Sequence, residues 1–121
     1  MSHLDRIRAY YDACNRGDAA AVAACFIDDA THFFTRMPPV RGAERIGAQT
    51  AQAVEHAQAS WHVEHGIESG DEAVIEFANH WTDPRDGEQR TVRGTEWFRF
   101  GADGRIEEVR AYYHRDGLVR E

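Results

Sequence analysis

The second half of the chain is broken three times by short clusters of Gly, Asp and Pro: Ser69-Gly70-Asp71, Asp83-Pro84-Arg85-Asp86-Gly87 and Gly101-Ala102-Asp103-Gly104. Around them lie four segments rich in β-branched and aromatic residues: Trp61 to Glu68, Glu72 to Thr82, Gln89 to Phe100 and Arg105 to Arg115. Each break suits an antiparallel hairpin connection, so the segments read as a four-stranded meander. Strands of this length twist, and the sheet must curl. The first half reads differently. Leu4, Ile7, Tyr11 and Cys14 recur at helical spacing and predict an amphipathic helix over residues from about 3 to 15. Ser2 with Asp5 can cap its start and Gly17 can end it. Asp18 caps a second helix, Ala19 to Phe26, which Asp28-Asp29 breaks. Thr31 to Phe34 reads as a short strand and Met37 to Gly42 as a loop. A third helix runs from about Ala43 to Ala57 through Ile46, Thr50, Ala53 and Val54. Helices first and strands afterwards argue for an α+β fold over an alternating one. Helices laid across the open face of a curled sheet leave a cone with a pocket.

A chain of 121 residues is expected to form a single domain over 1–121. No apolar run approaches the roughly 20 residues that span a bilayer, and the first residues lack the apolar stretch of a signal peptide. A cytoplasmic, membrane-free protein is the expectation. The net charge of -7 and the lack of any Lys argue against a nucleic-acid partner. Cys14 and Cys25 read as reduced thiols with no Cys pair to complete a zinc site. Strict strand alternation puts His62 and His65 on opposite faces, so no metal is expected. No Gly-rich phosphate loop follows a strand, and no cofactor is implied.

Three segments carry a resemblance: Tyr10-Tyr11-Asp12-Ala13-Cys14-Asn15-Arg16-Gly17-Asp18, Cys25 to Thr31, and Gly94 to Phe100 running on through Gly104-Arg105-Ile106 to Tyr113. Together they resemble the SnoaL-like and ketosteroid-isomerase-like branch of the nuclear transport factor 2 superfamily. The resemblance implies a cone of N-terminal helices on a curved mixed or antiparallel sheet. It also implies a range of activities: isomerase, polyketide cyclase, dehydratase, epoxide hydrolase or plain ligand binding. Ketosteroid isomerases use a Tyr and a protonated Asp as an oxyanion hole and a second Asp as base; the handling of those carboxyl groups is a known case of environmental tuning. By that resemblance Tyr10 falls on the oxyanion-hole Tyr and Glu96 on the oxyanion-hole Asp. The base position is Phe34. Limonene epoxide hydrolases carry an Asp on the last strand where this chain has Ala111.

Strand alternation extends the candidate site. If Glu96 points inward, so do Val92, Gly94, Phe98 and Phe100, and on the last strand Val109, Ala111 and Tyr113. On the strand from Glu72 the inward set is expected to be Val74, Glu76, Ala78 and His80; a single bulge would reverse it. The expected pocket therefore holds Tyr10, His32, Glu76, His80, Glu96 and Tyr113 among Phe98, Phe100, Val109 and Ala111. Glu96, Tyr10, His32 and His80 are the expected catalytic groups, since a carboxyl enclosed by apolar walls is pushed toward its neutral form and a nearby imidazole can exchange its proton. Ile75, Phe77, Trp81, Trp97 and Tyr112 would then face outward, and an apolar face of that size predicts a homodimer through the convex side of the sheet. Trp61, Trp81 and Trp97 read as core or interface residues. Two functions fit: acid–base catalysis on a small apolar or carbonyl-bearing molecule, and binding or assembly without turnover.

Overall fold

The computed structural model describes residues 1–35 and 37–113. Ser2 caps α1 (His3–Asn15): its hydroxyl accepts from the Asp5 N–H at 3.0 Å, and the Asp5 carboxylate accepts from the Ser2 N–H at 3.1 Å. The helix buries Ile7, Tyr10, Tyr11 and Cys14. Gly17 turns the chain at φ 66° into α2 (Ala19–Ala24), which Asp18 caps. α3 (Ala43–Ala57) packs on α2 at Gly47, where an added Cβ would lie 2.3 Å from the Ala19 carbonyl oxygen. Glycine alone permits that approach.

The strands are β1 (Phe26–Phe33), β2 (Val40–Arg41), β3 (Ser60–Ser69), β4 (Glu72–Thr82), β5 (Gln89–Phe100) and β6 (Ile106–Tyr113). They form one open sheet in the order β2-β1-β6-β5-β4-β3. The meander β3 to β6 is antiparallel, and β1 runs parallel to β6, which makes the sheet mixed. The helices over its concave face complete the α+β cone. No helix among the described residues is long and apolar enough to cross a membrane.

The order of elements follows the sequence reading, with two local differences. α2 stops at Ala24, and Phe26 begins a strand, because Phe26 pairs with Ile106 far along the chain and is buried there. Asp28 and Asp29 are exposed at the irregularity between Phe26 and Thr31. The expected loop Met37 to Gly42 contains β2, which pairs with Thr31 and His32. The expected extension of the last strand to Arg115 lies outside the described residues.

The larger correction concerns β4. Glu96 pairs with Ile75, and Gly94 with Phe77. Cross-strand partners share a face, so Ala73, Ile75, Phe77, Asn79 and Trp81 are concave, and Val74, Glu76, Ala78 and His80 are convex. The cause is the connecting loop. Thr82 pairs with Gln89, and the Asp83 N–H bonds to the Glu88 carbonyl at 2.8 Å, so one residue more than Asp83 to Gly87 separates the paired strands. One residue inverts every side chain. Asp83 fixes that loop, binding the Arg85 N–H at 2.9 Å and the guanidinium groups of Arg85 and Arg90.

Apolar side chains fill one end of the cone. Ile7, Phe26, Ile75, Phe77, Phe98 and Val109 are fully buried there. Each such side chain contributes roughly 1.5–3 kcal/mol by burial. Ile75 and Phe77 thus belong to the core, and the convex face mixes charged side chains with apolar ones that include the exposed Ile67. Arg93–Glu64, Arg99–Glu107 and Arg110–Glu108 pair across or along it. Trp97 and Tyr112 are the exposed aromatic residues on it; Trp97 donates its indole N–H to Glu72, and the Arg110 guanidinium lies over its ring.

Candidate functional site

Beside the packed end, α1, α3 and the sheet enclose a cavity of about 260 Å³. Its walls are mainly apolar and include Phe34, Met37, Ala53, Trp61 and Trp81. Ionisable and hydroxyl groups reaching it from separate elements include Glu96 from β5, His32 from β1, Tyr10, Tyr11 and Cys14 from α1, Thr50 from α3 and Tyr113 from β6, with Thr35 just beyond β1.

Glu96 sits between Ile75 and Ala111 on neighbouring strands and is buried. The Tyr11 hydroxyl donates to its Oε1. His32 places Nε2 at 3.4 Å from its Oε2. The His32 ring stacks on Phe34, with centroids 3.7 Å apart and planes at 10°. That stack orients the imidazole, and it uses Phe34, the residue that the resemblance implies at the isomerases' base position. Nδ1 of His32 is buried and has no hydrogen-bond partner among the described residues. A buried polar atom without a partner costs about 1–3 kcal/mol, so a group that bonds to Nδ1 is favoured by that amount.

Burial governs the charges. With apolar neighbours and little water, the Glu96 carboxyl is pushed up to about 8, and the His32 imidazole is held down to about 3. At neutral pH both groups are uncharged. A carboxylic acid on Glu96 has its proton to donate toward Nε2, 3.4 Å away, and that arrangement would carry the imidazole hydrogen on Nδ1.

Four of the expected site residues, Glu96, His32, Tyr10 and Tyr113, line the cavity, and Tyr11 joins them. The hydroxyl on Glu96 belongs to Tyr11 and not, as the resemblance implies, to Tyr10. Tyr10 lines the cavity, but its hydroxyl engages the Cys14 thiol one turn on, and burial holds it well above the usual phenol range. Cys14 is likewise pushed up to about 12 by burial, which makes it a poor nucleophile. Tyr113 lines the cavity as expected.

His80 and Glu76 do not join the site. The β4 register puts both on the convex face, where His80 is exposed and its Nδ1 lies 2.8 Å from the Thr91 hydroxyl, and Glu76 lies 3.6 Å from His65 Nδ1. Phe98, Phe100 and Val109 share the face of Glu96, but packing covers them. The Tyr10 ring meets Phe98 edge-on at 5.9 Å, and the His3 ring lies 4.1 Å from Phe100. Ala111 is buried beside Glu96 and is not part of the cavity lining.

Trp61 and Trp81 line the cavity, contrary to the core-or-interface reading. The spacing of Tyr11 with Ile7 and Cys14 already marked its inward direction; its bond to Glu96 carried no local signal. A bulge at Glu64 also puts His62 and His65 on one face, opposite Ala78 and Glu76, which strict alternation does not foresee. Among the described residues no group of three metal-ligating side chains gathers.

A cone of this topology, with helices laid over an open mixed sheet, is the architecture of the nuclear transport factor 2-like proteins. Residues 7–109 match the model of the SnoaL-like domain, and the chain belongs to that family. A protein of unknown function with a cystatin-like fold from Methylobium petroleophilum superposes with a TM-score of 0.82 at 31% identity, over 98% of this chain and 81% of that one. A candidate polyketide cyclase from Xanthomonas campestris gives a TM-score of 0.79 at 22% identity, over 93% and 90% of the two chains. A protein of ketosteroid-isomerase-like fold from Catenulispora acidiphila, in complex with trimethylamine, gives 0.83 at 16% identity, over 93% and 88%. No curated protein matches the chain at a significant level.

Proposed function

We propose that the protein is a cofactor-independent enzyme that performs acid–base chemistry on a small, largely apolar molecule bearing a carbonyl or epoxide oxygen. The observation that carries this reading is the buried Glu96 carboxyl, held between the Tyr11 hydroxyl and His32 Nε2 in an apolar-walled cavity. In the neutral dyad the Nδ1–H of His32 is the free donor. When a water adds to the carbonyl or epoxide carbon and charge develops on the substrate oxygen, that oxygen takes the Nδ1 proton, the Glu96 proton moves from Oε2 to Nε2, and the carboxylate left behind is stabilised by the Tyr11 O–H. The proton released by the added water then returns to Nδ1 as the Nε2 proton goes back to Glu96. Every proton is accounted for. Pre-placed donors in a dry site are worth roughly 3–4 kcal/mol each to such a transition state. Membership of a family with a candidate polyketide cyclase among its structural neighbours supports the reaction class.

The test is turnover of a panel of small enones, ketones and epoxides, followed by NMR, with wild type beside Glu96→Gln. Conversion by the wild type and its loss in the variant are expected. Equal conversion by both would remove Glu96 from the chemistry. One observation favours a second reading, ligand binding without turnover: Phe34 stands where the resemblance implies the isomerases' base, and it only stacks on His32. Binding of panel compounds with no conversion of any would select it.

Pairing of two copies through the convex face is a separate proposal. With Ile75, Phe77 and Trp81 on the concave side, it rests on Ile67, Trp97 and Tyr112. Sedimentation of Trp97→Arg against wild type tests it; identical monomeric profiles would end it.

A further inference from the structure

The cavity wall between α1 and the edge strand β3 is one layer of side chains thick. Tyr11 and Trp61 line the cavity, and they also line a surface groove of about 280 Å³ together with Arg8, Asp12, Asn15 and His62. Trp61 lies opposite Asn79 of β4, and β3 is an outer strand of the sheet. Its N–H and C=O are directed at the open edge, where an unpaired strand normally meets water or another chain. Asn15, the last residue of α1, satisfies both. Its Nδ2 donates to the Trp61 carbonyl at 2.8 Å, and its Oδ1 accepts from the Trp61 N–H at 2.8 Å. A carboxamide offers the same donor and acceptor as a peptide unit, so Asn15 stands in for the missing neighbouring strand. Tyr11 precedes Asn15 by one helical turn and shares its side of α1.

We propose that Asn15 is a positioning residue for the site: by clasping the backbone of Trp61 it closes the side wall and keeps water from Glu96. Only an Asn carries donor and acceptor at this reach. Asp lacks the donor, Gln is one methylene too long, and Ala lacks both. The inference rests on the geometry of the cavity and not on turnover.

The test is a ¹³C NMR titration of the Glu96 carboxyl in wild type, Asn15→Ala, Asn15→Asp and Ser2→Ala, with acrylamide quenching of tryptophan emission. Ser2→Ala removes the cap at the other end of the same helix and does not touch the wall. Both Asn15 variants are expected to lower the Glu96 midpoint by about one pH unit, since water reaching the carboxyl favours its charged form. They are also expected to increase quenching. Ser2→Ala is expected to lower the melting temperature and leave the midpoint in place. Asn15→Asp retains one of the two bonds and serves if Asn15→Ala does not fold. An unchanged midpoint in both Asn15 variants, or an equal shift in Ser2→Ala, overturns the inference while the acid reading of Glu96 stands. A wild-type midpoint in the ordinary carboxylate range removes both.

Discussion

Two Glu–His pairs stand on opposite faces of one sheet. Glu96 and His32 are 3.4 Å apart on the concave face, and Glu76 and His65 are 3.6 Å apart on the convex face. The residue types and separations are nearly the same. The side chains of the first pair are 8% and 2% exposed, and those of the second 37% and 75%. Water screens the outer pair, whose worth is at most about 1 kcal/mol. Apolar walls deny that screening to the inner pair, so both of its members are held in their neutral forms. Pairing alone therefore does not make a site; enclosure does, and the register of β4 decides which carboxyl is enclosed.

The largest expected difference is in turnover. Glu96→Gln should lower kcat on any converted panel compound by about 10²–10³-fold, the scale of losing one preorganised group. Glu76→Gln should leave it within about twofold, the behaviour of a surface change. Equal losses would erase the contrast between the faces.

Stability against pH comes next. The folded pKa of His32 lies below its unfolded value, about 3 against 6.5, so its contribution rises as pH climbs through that window. The folded pKa of Glu96 lies above its unfolded value, about 8 against 4.5, so stability falls as pH rises between them. The two trends offset each other from 4.5 to 6.5 and leave a plateau, with losses on either side. Between pH 6.5 and 8 the Glu96 loss is about 2 kcal/mol. Urea melts across pH should show that decline in wild type and none in Glu96→Gln.

A smaller effect separates the adjacent tyrosines. Tyr11→Phe should cost about 1–2 kcal/mol and raise the Glu96 midpoint, because a hydroxyl donated to a carboxylate favours the charged form. Tyr10→Phe should move that midpoint less, since its hydroxyl meets Cys14. The reverse order would reinstate Tyr10 as the partner of Glu96. Smallest of all, His65→Ala should change stability by under about 0.5 kcal/mol, and added salt should erase even that.

How much of this was legible follows from the range of the signals. Capping at Ser2 and Asp18, the helical stripe Ile7, Tyr11, Cys14, and the Gly/Asp breaks are local, and they lead to the cone. The inward direction of Glu96 followed from alternation along β5 and the resemblance. The face of β4 did not, because it hangs on whether five or six residues separate the paired strands, and Glu88 looks the same either way. Phe26 was read as helix because its partner, Ile106, lies in the last strand. Tyr10 and Tyr11 are both buried neighbours on one helix, and only the position of β5 decides which hydroxyl meets Glu96. Trp61 and Trp81 were legible as core or interface aromatics but not as cavity walls, since that depends on the face of β4 and on how α1 and α3 sit over the sheet.

The most direct measurement is the ¹³C NMR titration of the Glu96 carboxyl in the unliganded wild-type protein. A midpoint near 8 is expected from its enclosure. A midpoint near 4.5, the ordinary value, would mean that water reaches the carboxyl and that the concave pair is no different in kind from the convex one.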